Sequence, residues 1–254
     1  MITFGRKLPI GIQTFADIRT QGYLYVDKTA LMWRIANIGK PFFMSRPRRF
    51  GKSLLLSTFE AYFEGRKELF EGLAVEQLEE KWEKHPVLHL DLNAEKYDAP
   101  ERLEAALSYY LTQWEKLYGK GENETTLSNR FKGVIQRAYE QTGKGVVVLV
   151  DEYDKPLLQA LHNDTLLQTY RDILKAFYGV LKSTDRYLRF VFLTGVTNFS
   201  HVSVFSDLNQ LNDISMDYDF ATICGITHEE LLATFAPEIE QLAKVNGQTT
   251  DEAI

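Results

Sequence analysis

VVVLVDEYDKP, residues Val146 to Pro156, is the stretch on which the fold turns. Five consecutive apolar residues suit a strand covered on both faces, because a strand with one wet face alternates apolar and polar positions. This strand ends in Asp151 and Glu152. Two adjacent carboxylates at a strand's end suit a metal shell and an activated water. Taken alone, they also suit an ordinary turn in which Asp154 and Pro156 start the next helix.

Working outward, further short apolar runs at Phe42–Ser45, Val87–Leu92 and Tyr187–Thr194 read as strands. Between them lie helical patterns. Leu166, Leu167, Tyr170, Ile173, Leu174, Phe177, Tyr178 and Leu181 recur at helical spacing, as do the apolar positions of Leu103–Leu117. Strands alternating with helices predict an α/β protein, a mostly parallel central sheet in a three-layer α/β/α arrangement. Near the C-terminus, Thr227 with Glu230 predicts a helix start, running to about Phe235. Pro237 suits the first turn of a second helix, Pro237–Val245. Gly247 breaks the pattern, and TTDEAI (Thr249–Ile254) reads as a third helix begun and unfinished, so the chain is expected to be a piece of a longer protein.

The second informative stretch is SRPRRFGKS, Ser45–Ser53. It lies between the strand Phe42–Ser45 and a helical pattern over Leu54–Phe63. Amides at a helix N-terminus and the helix dipole both favour anions there. Gly51 permits close backbone approach, Lys52 can reach β- and γ-phosphates, and the Ser53 hydroxyl can ligate Mg²⁺. Arg46 stands where the usual phosphate loop has its first glycine. Arg46, Arg48 and Arg49 add charge around a triphosphate or pair with acidic neighbours, and Pro47 stiffens the entry. A basic turn with a chance Gly-Lys-Ser is the alternative. The order of the two stretches favours the phosphate loop: Asp151 becomes the carboxylate of the Mg²⁺ shell, and Glu152 the residue that orients water. The expected cradle comprises Arg46, Pro47, Arg48, Arg49, Phe50, Gly51, Lys52, Ser53 and Leu54, with Ser53 and Asp151 as metal ligands. Thr194 and Asn198, at and beyond the end of the strand Tyr187–Thr194, are candidates to contact the γ-phosphate or the lytic water; a plain turn is the alternative.

The chain has 254 residues, 44% of them hydrophobic, a net charge of -6 and one cysteine, Cys224. The length suits one large domain. The acidic total argues against nucleic-acid binding by this chain itself, and one cysteine excludes an internal disulfide. No apolar run is long enough for a membrane span. A soluble cytoplasmic protein is expected, with Cys224 a small buried residue.

LPIGIQTFADIR (Leu8–Arg19), YVDKT (Tyr25–Thr29), FMSRPRRFGKSL (Phe43–Leu54), LVDEYDKP (Leu149–Pro156), FLTGVTNF (Phe192–Phe199), FSDLNQLND (Phe205–Asp213) and CGIT (Cys224–Thr227) follow in order. Together they resemble the bacterial AAA-ATPase-like family. The resemblance implies a P-loop NTPase fold of the additional-strand type with sheet order 5-1-4-3-2, and ATP/ADP with Mg²⁺ as ligands. It makes Arg46 usual for the family, and it brings part of Phe15–Tyr25 near the adenine. Residues 1–40 would lead into an ATPase core over 41–245, with 246–254 opening a further region. Full-length relatives continue into a helical lid and a nuclease-like domain. The expected function is ATP binding with Mg²⁺-dependent hydrolysis that switches an attached effector. The alternatives are a nucleotide-binding regulatory module without turnover, and a nucleic-acid-handling ATPase in defence or mobile-element biology.

Overall fold

The strand that opened the reading, β3 (Val146–Asp151), is buried at every position. In the computed structural model, which describes residues 6–39, 41–197 and 211–254, it sits second in a parallel sheet. Its companions are β1 (Phe42–Ser45), β2 (Val87–Asp91), β4 (Leu188–Gly195) and β5 (Asn212–Asp213), in the order β2-β3-β4-β1-β5. The pairs align Val150 with Leu193, Met44 with Thr194, and Asp91 with Asp151. The exits of β1, β4 and β3 therefore adjoin, with β4 between the other two.

Alternation along the strands divides the core into two layers. Val146, Val148 and Val150 share one apolar cluster with α4 (Pro100–Tyr118), α5 (Leu127–Thr142) and α7 (Asp164–Ser183). Val147 and Leu149 share the other with α1 (Phe15–Thr20), α2 (Thr29–Ile38) and α3 (Lys52–Phe63). Phe59 of α3 lies 5.0 Å from the rings of both Phe190 and Phe192 of β4, and Phe63 lies 5.0 Å from Phe190. Each such aromatic pair adds about 0.5–1.5 kcal/mol beyond burial. This stack seats α3 on the sheet and so fixes where its first turn lies. Phe15, Met32 and Ile35 belong to the same cluster, so α1 and α2 pack directly on the core.

Sequence and structure differ at several boundaries. The helix expected from Leu54 begins at Lys52, which brings Lys52 and Ser53 into its first turn. Tyr187 closes a 3-10 turn, Asp185–Tyr187, instead of opening β4. Asp27 accepts from the Thr29 amide (2.8 Å) and hydroxyl (2.6 Å) and from the Ala74 amide (2.7 Å), so YVDKT anchors the start of α2. The two helices expected around Pro237 are one, α8 (His228–Asn246), following the short α6 (Lys155–Gln159) and α7 in chain order. Proline removes one N–H and loosens the carbonyls a turn earlier. Arg6 offsets that loss: its guanidinium donates to the Thr234 carbonyl (2.6 Å) and pairs with Glu238 on the proline's other side. The start of α8 is a complete capping box between Thr227 and Glu230. Thr249 and Glu252 make the same reciprocal bonds around a single turn. Among the described residues no helix is long and apolar enough to cross a membrane.

Candidate functional site

The loop after β1 is held at its start and open at its centre. The Ser45 amide donates to the Ser215 hydroxyl (2.8 Å), and the Arg46 amide to the Gly195 carbonyl (3.2 Å). Pro47, Arg48, Arg49 and Phe50 are exposed. Arg49 and Gly51 both have left-handed backbones, with φ of +67° and +89°. The first helical bond of α3 runs from the Leu55 amide to the Gly51 carbonyl (3.0 Å). The amides of Lys52, Ser53 and Leu54 therefore precede the helical ladder, where anions bind.

Lys52 is almost fully buried. Its ammonium donates to the carbonyls of Arg46 (3.1 Å) and Pro47 (3.3 Å) and lies 3.3 Å from Glu152 Oε1. That contact joins the loop to the end of β3. Arg46 behaves differently from the other arginines of the loop. Its guanidinium donates to the carbonyls of Ser45, Ser215 and Phe220. The side chain at the first-glycine position therefore leaves the loop and staples the turn after β5.

Asp151 is buried beside β4. Its Oδ1 accepts from the Thr194 hydroxyl (2.6 Å) and the Glu152 amide (3.0 Å), leaving Oδ2 as the oxygen engaged by neither. Glu152 has a left-handed backbone, φ +52°, and is mostly buried. Hard oxygen donors of this kind suit Mg²⁺. Asp151 Oδ2 and the Ser53 hydroxyl, one residue past Lys52, are oxygen donors of that chemical class. Asn198 lies outside the described residues, as do Phe199 and residues 205–210 of the quoted motifs. Asp91 accepts from the Asn93 amide (2.7 Å), an ordinary turn. On β2, His89 Nδ1 lies 3.0 Å from Glu60 of α3. Burial pushes that imidazole down. The hydrogen bond and charge of Glu60, with the charges of Asp151 and Asp91, outweigh burial and raise it above its ordinary value.

An apolar cavity of about 390 Å³ adjoins the loop. Leu8, Tyr25, Phe50, Leu54, Ile223 and Phe235 are among the residues that line it. Its wall is thus drawn from the N-terminal segment, the loop, the stretch before α8, and α8. Gly225 donates its amide to the Phe50 carbonyl (3.1 Å), and an added Cβ there would touch the Phe50 ring at 3.5 Å. Lys28, at the cavity, pairs with Glu230 of α8. Cys224 also lines it; burial pushes its thiol up to about 11, so it is a protonated apolar group and not a nucleophile.

Loop and carboxylates come together at the 3.3 Å contact of Lys52 with Glu152, and Thr194 bonds the adjacent Asp151. Ser215 had no place in the sequence reading, Phe235 appeared there only as a helix end, and Asp154 only as a helix start. Asp154 stands at the cap position of α6 but makes no cap bond to it. Its partners follow β4, and no local pattern announces them.

The model of a family described as predicted AAA-ATPase matches residues 9–205. The uncharacterized protein in the vnfD 5' region of Azotobacter chroococcum mcd 1 is 42% identical over 241 residues, covering 93% of this chain and 46% of that protein. The chain thus spans about half the length of this curated relative. No solved structure matches it.

Proposed function

This chain belongs to the predicted AAA-ATPase family, and from that premise we propose that it is an ATP-binding and Mg²⁺-dependent ATP-hydrolysing domain with a P-loop core of the additional-strand type. The single observation that carries the reading is the 3.3 Å contact between Lys52 and Glu152. It joins the first turn of α3 to the carboxylates of β3, so phosphate-binding groups and water-activating groups share one site.

In this reading the amides of Lys52, Ser53 and Leu54 cradle the β- and γ-phosphates, and Lys52 turns its ammonium from loop carbonyls to the phosphate oxygens. Ser53 and Asp151 would hold Mg²⁺, which when bound would supply charge neutralisation to the phosphates. Thr194 fixes Asp151 Oδ1, so that Oδ2 faces the ligand. Glu152, released from Lys52 as phosphate arrives, accepts a proton from the attacking water. The apolar cavity beside Phe50 takes the adenine, which needs flat apolar walls and few polar partners. The backbone of Arg46 belongs to the cradle, while its side chain supports the turn after β5. The work done with hydrolysis is the switching of an attached effector, in keeping with a relative about twice as long. The resemblance suggests a lid and a nuclease-like domain for that region.

A second reading, nucleotide binding without turnover, is favoured by the same contact, because a glutamate held on Lys52 is not free to act as a base. Two measurements separate the readings. Calorimetry with ATP and Mg²⁺ is expected to show binding that Lys52→Ala weakens by about 100-fold or more. Phosphate release by the intact chain is expected to fall by about 100-fold or more in Glu152→Gln. Undiminished affinity in the first variant removes the cradle. Tight binding with no release in the wild type leaves the second reading.

A further inference from the structure

Asp154 is fully buried, and its side chain ignores the helix it precedes. Its Oδ2 accepts the amides of Val196 (3.0 Å) and Thr197 (2.6 Å) and the Thr197 hydroxyl. Its Oδ1 has no hydrogen-bond partner among the described residues. A buried carboxylate with one oxygen unsatisfied is costly, and a cap residue would not need to be there. Three neighbouring features make the same join. The Tyr153 amide donates to the Thr194 carbonyl (3.0 Å), and the Tyr153 hydroxyl lies 3.3 Å from Thr197 Oγ1. Gly195 has no Cβ; one would stand 2.4 Å from the Tyr153 ring and 2.8 Å from Asp154 Oδ1. The turn leaving β3 and the turn leaving β4 are therefore one interlocked block. Glu152 lies inside that block with a left-handed backbone. A non-glycine residue stays in that conformation only where its surroundings over-determine it.

We propose that Asp154 is a positioning residue for Glu152. By pinning the β3 turn to the amides that follow β4, it holds Glu152 left-handed and keeps its carboxylate against Lys52. It acts through Glu152 and touches no ligand. The proposal rests on the ATPase reading for its consequence, though not for its geometry.

The test has one arm that needs turnover and one that does not. In the first, Asp154→Ala lowers kcat for ATP by about tenfold or more while KM changes by less than about twofold, the split expected of a displaced catalytic group. In the second, acetylation of the Lys52 amine by acetic anhydride, read by peptide mass spectrometry without nucleotide, rises several-fold in Asp154→Ala. It rises equally in Glu152→Gln, and the double variant gives no further increase. Should Asp154→Ala fail to fold, Thr197→Val removes the hydroxyl's bonds to Asp154 and Tyr153 and leaves both amide bonds to Asp154, and the same two changes are expected at smaller size. A folded variant with wild-type Lys52 labelling and wild-type kcat overturns the proposal. If the wild type releases no phosphate, the hydrolytic reading fails by itself, and the labelling arm alone decides for or against Asp154.

Discussion

Around the cradle, Pro47, Arg48, Arg49 and Phe50 are exposed and two residues are left-handed. At the end of β3 and just past it, Asp151, Tyr153 and Asp154 are buried and bonded to the last residues of β4 and the turn after it. The basic half offers groups to a ligand, whereas the acidic half has already satisfied most of its own. Left-handed backbone occurs in both halves. At Gly51 the left-handed position carries glycine, and nothing lies within 4 Å of the missing Cβ. At Glu152 it carries a charged residue, at a cost of about 1–2 kcal/mol. Arg49, exposed with φ +67°, carries similar strain in the open half, so what sets Glu152 apart is the buried neighbours that enforce it.

The largest effect expected separates the seat of the cradle from stability in general. Phe59→Ala and Phe131→Ala remove rings from opposite faces of the sheet, the first stacked on β4 and the second 4.5 Å from Phe177. Each is expected to lower unfolding free energy by about 3–5 kcal/mol in urea titrations. Only Phe59→Ala is expected to weaken ATP binding in the folded fraction, since only it supports α3. Equal losses of affinity would break the comparison between a seated loop and a self-contained turn.

Asp151→Asn comes next. It keeps the shape of the side chain and removes its charge, so about tenfold of the affinity gained by adding Mg²⁺ is expected to vanish from calorimetry, with Mg²⁺-free affinity unchanged. A third pair tests the two left-handed positions directly. Gly51→Ala is expected to destabilise by about 1 kcal/mol through backbone strain, while Glu152→Gly relieves strain of similar size and abolishes turnover. A gain in stability with a loss of activity at Glu152 would mark strain retained for function; a loss of both would show that the Lys52 contact outweighs it.

The smallest effect concerns His89. Its imidazole is raised in the folded state, so the folded protein holds the proton more tightly than the unfolded chain. That contribution is fully present below about pH 6.5 and fades as pH rises through the folded value. Urea titrations from about pH 5.5 to about pH 8.5 are expected to show the decline, and His89→Gln to flatten it. A decline that survives in the variant would assign it to another group.

The α/β class was legible because β3 is apolar throughout and strands alternate with helices. Lys52, Asp151 and Glu152 were legible because their chemistry is concentrated at strand and helix ends. Asp154 was not, since its role depends on amides brought beside it only by sheet pairing. The staple from Arg46 to Ser215 and Phe220 was hidden for the same reason. Pro237 misled because the rule against interior proline is local, and the group that offsets it, Arg6, comes from the other end of the chain. The cavity was not read from the sequence; Ile223 and Phe235 join it through tertiary packing.

That pairing of Arg6 with Glu238, together with Lys28 and Glu230, makes α8 a clasp that ties the N-terminal segment to the helix beside the apolar cavity. Phe235 projects from the clasp into the lining. Any ligand proposed for that cavity would touch α8, which runs from His228 to Asn246. A shortened chain ending at Thr227 would lose both ion pairs and the Phe235 wall, and under the proposed adenine reading it is expected to lose base binding before phosphate binding.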